Sequence, residues 1–162
     1  MLRLLLLLSL PLYILDQWSK HWIVQNIDRD TEDWVVIENF FTIHHVANTG
    51  IAFGQFNGGQ YSNYIFGGIA LGALALITWL YRKGMFPGAI SRTAIALLVS
   101  GVCGNFTDRI LHGYVVDFLR FNLHVKFANP WPSFNVADSC VVIAALLLAL
   151  ASFKEVPEQK MA

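Results

Sequence analysis

The run from Ser62 to Tyr81 contains no charged residue, and that constrains the fold more than any other feature of the chain. A helix crossing the hydrocarbon core of a bilayer needs roughly 20 mostly apolar residues. Two further runs meet the same demand: Thr93 to Thr107 is uncharged and continues into Asp108, and Val136 to Phe153 is broken only by Asp138. A fourth, Leu4 to Leu15, follows Arg3 in the manner of a secretory signal peptide, but no small-x-small cleavage site comes after it. The chain continues instead as DQWSKHWIV, with Trp18 and Trp22 spaced as an interfacial aromatic pair on one helix face. These runs predict a mainly α membrane protein: one membrane-embedded unit over 1–162, with spans at about 2–24, 62–81, 93–110 and 136–153.

Composition agrees, since 56% hydrophobic residues and a mean hydropathy of +0.52 exceed what a soluble domain carries. Net charge is zero and the basic residues are scattered, which argues against nucleic acid as a partner. Cys103 and Cys140 lie in apolar runs without metal spacing and read as small buried hydrophobes. With a cytoplasmic amino terminus, Arg3, Arg82, Lys83, Arg92, Lys154 and Lys160 fall inside, leaving Arg29, Arg120 and Lys126 in the outer loops. An insert at about 28–61 then lies outside. It opens with the acidic stretch DRDTED and continues as WVVIENFFTIHHV, whose β-branched and aromatic residues predict strands in a small extracytoplasmic subdomain.

This topology gathers the polar residues of the spans at one depth. Asp16 and Lys20 lie toward the outer end of the first span, Asn105, Asp108 and Arg109 toward that of the third, and Asn135 and Asp138 at the outer beginning of the fourth. Asn48 in ANTGIAF and Asp117 in YVVDF belong to the two outer loops and reach the same layer. Spacings of three and four residues put each set on a single helix face. Ionisable groups at membrane depth cost on the order of 2.5 to 3.5 kcal/mol each, so several kept together point to pairing around a site. Lys20 alone reads equally as a basic side chain snorkelling to water; the short Asp138 side chain does not suit that role. Gly68 and Gly72 form a small-xxx-small pattern suited to helix packing.

The layer is dominated by carboxylates. No G-x-S-x-G or H-E-x-x-H motif is present, and His44, His45, His112 and His124 lack paired ligand spacing, so no metal or other cofactor is expected. Two carboxyl groups in a confined site share one proton, as in aspartic proteases: the ionised member takes a proton from water and its partner donates one. Asp117 and Asp138 are the best pair. Asp108 has Arg109 beside it and Asp16 has Lys20 one turn on, which suits those two acids to structural ion pairs.

DQWSK (Asp16 to Lys20), NTGIAF (Asn48 to Phe53), GNFTDR (Gly104 to Arg109), VVDF (Val115 to Phe118) and FNVAD (Phe134 to Asp138) resemble, in order, the motif blocks of bacterial lipoprotein signal peptidase, signal peptidase II. The resemblance runs from about Tyr13 to Phe153. It implies an aspartic endopeptidase of the bacterial inner membrane, termini cytoplasmic and active site toward the periplasm. Such an enzyme removes the signal peptide of a prolipoprotein by cutting before a diacylglyceryl-modified cysteine. Membrane lipid is a further partner, and the cyclic peptide globomycin an inhibitor. Matched by motif, Asp117 and Asp138 are the catalytic dyad, while Asp16, Lys20, Asn48, Gly50, Asn105, Asp108, Arg109 and Asn135 frame the site or touch substrate.

Two rival readings remain from the residues alone. A small proton-coupled carrier would use Asp16 or Asp138 as its proton site, but carriers place such sites near the midplane between repeats. A non-catalytic scaffold would use the acids to hold helices together and the strands to bind a partner.

Overall fold

A computed structural model describes residues 1–29, 31, 33–50, 62–125 and 130–154. Four of its helices are long and apolar enough to cross a membrane: α1 (Leu2–Asn26), α2 (Ser62–Arg82), α3 (Ala89–His112) and α4 (Val136–Lys154). In lipid a backbone must satisfy its own hydrogen bonds, and the helix does so within one segment. The mainly α fold read from the sequence is present, each helix differing from its expected span by a few residues. Within α1 the stretch Leu5–Ser9 widens to a π-helix just before Pro11. Proline has no N–H to give and its ring crowds the carbonyl four residues back, so a wider turn there lets the helix continue.

Ser9 Oγ donates to Ala96 O at 2.6 Å, and Lys20 reaches Asn105 and Asp108, so α1 and α3 run in the same direction. The α3 and α4 helices run oppositely and pack most extensively, around Ala94, Leu97, Cys140 and Ala144. Glycine makes that contact possible: a Cβ at Gly101 would lie 2.4 Å from Ala137 O, and one at Gly104 2.5 Å from Asp16 Oδ2. The packing role expected of Gly68 and Gly72 is not met. A Cβ at either finds nothing within 4 Å among the described residues, so neither glycine sits at a close helix contact there. Gly84, at φ +73°, closes α2, and Arg82, Lys83 and Arg92 collect at the turn into α3. Lys126 and Lys160, used above to set orientation, lie outside the described residues.

At the opposite end of the bundle sits a three-stranded antiparallel sheet in the order β1 (Asp33–Ile37), β2 (Phe41–Asn48), β3 (Val115–Phe121). Two strands come from WVVIENFFTIHHV as expected. The third corrects an expectation: Asn48 ends β2 and Asp117 lies within β3, both in strands where loops were expected. Their register sets Asn48 opposite Val115 and Val46 opposite Asp117. Between Ile43 and Val46 the ladder slips, and the irregularity lets the adjacent His44 and His45 both be buried. Val116 and Phe118 on β3 pack with Ile23 of α1 and with Ile27 just past its end, and so seat the sheet on the bundle. Ile51 to Phe53 of NTGIAF and the remainder of the insert to residue 61 lie outside the described residues.

Candidate active site

The sheet end of the bundle is where the polar layer assembles. Asn135 and Asp138 open α4 as a capping box: Asp138 N–H donates to Asn135 Oδ1 at 2.9 Å, and Asn135 N–H donates to Asp138 Oδ2 at 3.2 Å. Ala137 N–H donates to Asp16 Oδ1 at 2.8 Å, so an acid from α1 also answers the positive end of α4. The helix start that orients Asp138 is therefore held from two elements. Asn135 Nδ2 turns the other way, donating to Asp117 Oδ1 at 2.8 Å, Asn105 Oδ1 at 3.1 Å and Val116 O at 3.2 Å. One fully buried residue thus touches both acids, its side-chain amide donating to Asp117 and its backbone N–H to Asp138.

Amide donors complete their surroundings. Asn48 Nδ2 donates to Asp117 Oδ2 at 2.9 Å and Asn105 Nδ2 to Asp138 Oδ1 at 2.7 Å. Burial first, then the charge of Asp138, pushes the Asp117 carboxyl up to about 7, against the opposing pull of Asn48, Lys20 and Asn135. Asp117 and Asp138 both line one cavity of about 500 Å³, with Asn48, Ser133, Ser139 and an apolar wall of Val141, Val142 and Ile143. A second cavity of about 400 Å³ meets the first at Asn48 and Asp138 and adds Gly50, Phe66, Asn105 and Arg109.

The remaining acids are arranged differently. Lys20 Nζ lies 2.9 Å from Asp16 Oδ2 and 3.0 Å from Asp108 Oδ2, and donates to Asn105 Oδ1 at 2.9 Å. At 3% exposure it is buried, which excludes the snorkelling alternative. Asp108 pairs with Lys20 across helices, where a pairing with Arg109 was expected. Adjacent helical residues diverge by about 100°, and Arg109 instead donates to Asn105 O and Gly50 O and stacks over Phe66. Gln17, which the sequence reading passed over, donates to Asp16 Oδ2, Asp108 Oδ1 and Gly104 O and closes the cluster. All ten residues singled out from the sequence thus stand in or beside one network. Ser133 on the cavity wall and His44 behind it, joined at 2.6 Å, were not singled out; no motif marks them. Cys140 is buried and Cys103 half-buried, and both are free thiols.

Four membrane-length helices, a small sheet at one end and a buried acidic layer between them define a multi-pass membrane protein with an enclosed polar site. Residues 8–154 match the family model described as Signal peptidase (SPase) II. The chain is 36% identical to the lipoprotein signal peptidase of Pseudoalteromonas atlantica over 91% of its own length and 87% of that protein's. It is likewise 36% identical to that of Xanthomonas euvesicatoria pv. vesicatoria, covering 90% and 83%. A bacterial membrane enzyme structure solved by the in meso method at 2.3 Å superimposes with a TM-score of 0.83 at 30% identity, over 98% of this chain and 92% of that one. The chain belongs to the signal peptidase II family, a family of membrane proteases.

Proposed function

We propose that this protein is an aspartic endopeptidase that removes signal peptides from prolipoproteins, cutting before the diacylglyceryl-modified cysteine, with Asp117 and Asp138 as its dyad. The observation that carries this reading is the single cavity lined by both carboxylates, bridged by Asn135 and walled on one side by apolar residues of α4. Asp16, Lys20, Asn105, Asp108 and Asn135 hold the acids in place, and Asn48, Gly50 and Arg109 line the approach for substrate.

A carboxyl that titrates near 7 beside a second acid can keep a proton at neutral pH. Protonated Asp117 donates to the oxygen that becomes negative when water attacks the scissile carbonyl, and Asp138 takes the proton from that water. The proton then passes to the leaving amine and the pair returns to its starting state. Substrate chemistry agrees: acyl chains stay in the bilayer while the peptide bond needs water, and the acids lie at the end of the spans beneath the sheet. Orientation follows the basic residues, with the termini in the cytoplasm and the site toward the periplasm of the inner membrane.

The test is cleavage of a lipid-modified precursor by purified protein. The parent cleaves it, and Asp117→Asn and Asp138→Asn remain folded but inactive; near-parental cleavage by either variant refutes the dyad. Turnover is expected to persist in EDTA and to be blocked by globomycin. Zinc-restored activity after chelation would move the reading to a metallopeptidase.

A further inference from the structure

The wall of the larger cavity carries a polar group that the dyad chemistry does not use. Ser133 lies in the short segment leading into α4, and the residues flanking it are bound to β3: Trp131 N–H donates to Phe121 O at 2.8 Å and Phe134 N–H to Leu119 O at 3.1 Å. Its hydroxyl meets His44 Nε2 at 2.6 Å. His44 is 7% exposed and comes from the slipped part of β2. Beyond the ring, Nδ1 lies 3.7 Å from Asp33 Oδ1 on β1, and Asp33 Oδ2 is 2.5 Å from Arg120 Nη2 on β3. A chain of polar contacts therefore runs across all three strands and ends at the cavity.

That chain gives the Ser133 hydroxyl a direction. A carboxylate on the Nδ1 side favours the tautomer protonated there, which makes Nε2 the acceptor and Ser133 the donor. With its proton committed, a serine oxygen can still accept through its lone pairs. Two neighbouring polar side chains of the wall are engaged elsewhere: Asn48 donates to Asp117 and accepts from Gly50 N–H, and Ser139 Oγ donates to Asn135 O. The same cavity carries an apolar stretch of lining, Val141, Val142 and Ile143. The ligand that fits an acceptor beside an apolar wall is an N–H carried on a hydrophobic chain, such as the backbone amide of an extended peptide.

We propose that Ser133 is a substrate-binding residue that accepts a backbone N–H of the peptide lying beside the dyad, and that His44 is the positioning residue that keeps its hydroxyl in the accepting sense. This rests on the peptidase reading and adds to it a contact on the wall that the motif blocks do not contain.

Initial rates on the lipid-modified precursor test it, comparing the parent with Ser133→Ala, Ser133→Thr, His44→Ala and the His44→Ala/Ser133→Ala double variant. Loss of one neutral hydrogen bond predicts a rise in KM of roughly three- to tenfold for Ser133→Ala, with kcat within about twofold. Ser133→Thr restores the parental KM, since it returns the hydroxyl. His44→Ala raises KM alone but adds nothing to Ser133→Ala in the double variant. An unchanged KM in Ser133→Ala, or a defect that threonine does not repair, overturns the assignment. Covalent capture of Ser133 by a fluorophosphonate overturns it as well, because the hydroxyl would then be a nucleophile. A parent that cleaves while Ser133→Ala behaves normally sinks this inference alone; a parent that does not cleave sinks the peptidase reading and this with it.

Discussion

Two pairs of carboxylates share the sheet end of the bundle and differ in what answers them. Asp16 and Asp108, each 1% exposed, meet the Lys20 ammonium, the Gln17 amide and the backbone N–H groups of Ala137 and Val116. Asp117 and Asp138 meet the amides of Asn48, Asn105 and Asn135. A buried cation fixes the charge of its partners, because removing either leaves the other stranded in a low-dielectric interior. Neutral amides fix position and leave a proton free to come and go. Lys20 spends all three of its donors on Asp16, Asp108 and Asn105, and Asn105 in turn donates to Asp138. The first cluster is thus the frame on which the second is hung.

The sharpest way to break that distinction is to remove a charge from each pair in turn. Asp117→Asn and Asp138→Asn are expected to lower turnover on the order of 10² to 10⁴-fold or more with a melting temperature near the parent's. Asp16→Asn is expected to lower stability first. A variant at Asp16 that melts normally yet loses turnover as steeply as the dyad variants would erase the division.

Next in size is Lys20→Met, which keeps the side chain's length and strands two buried acids. It is expected to cost about 3 to 5 kcal/mol, read as a lower unfolding midpoint in detergent. Gly104→Ala follows at about 1 to 3 kcal/mol, because the added Cβ would lie 2.5 Å from Asp16 Oδ2 and 2.9 Å from Ala137 Cβ. Gly72→Ala is the control: among the described residues its Cβ meets nothing within 4 Å, and alanine suits a helix better than glycine. Equal losses at the two glycines would mean that close approach of α3 to the acidic frame does not matter.

What was legible beforehand follows the same physical line. Lipid forces long uncharged runs to be helices, so the four spans and the depth of Asp16, Asp108, Asn135 and Asp138 could be read from hydropathy and spacing alone. Contacts between elements could not. Spacing sees Arg109 beside Asp108 but not Lys20 arriving from α1, and it sees Gly68 and Gly72 at a packing interval but not that neither sits at a close helix contact among the described residues. VVDF is too short a run to separate strand from loop until β2 pairs with it. The slip that buries His44 and the bond from His44 to Ser133 depend on ladder register, which leaves no trace in composition.

The smallest expected effect probes the amide-held pair most directly. With the Asp117 carboxyl pushed up to about 7, kcat/KM should fall as pH rises through that value, since the donor of the dyad is lost. Stability should move in the same sense. The folded chain holds a proton that the unfolded chain, with its carboxyl near 3.8, releases earlier, so stability declines between about pH 4 and about pH 7. The Asn48 amide, donating to Asp117 Oδ2 at 2.9 Å, favours the charged form. In Asn48→Ala that support is gone, the carboxyl keeps its proton to higher pH, and the alkaline limb should shift upward by up to about one unit. The comparison is a pH–rate profile of variant against parent. A limb that stays in place, or moves down, would mean that the group setting it is not Asp117.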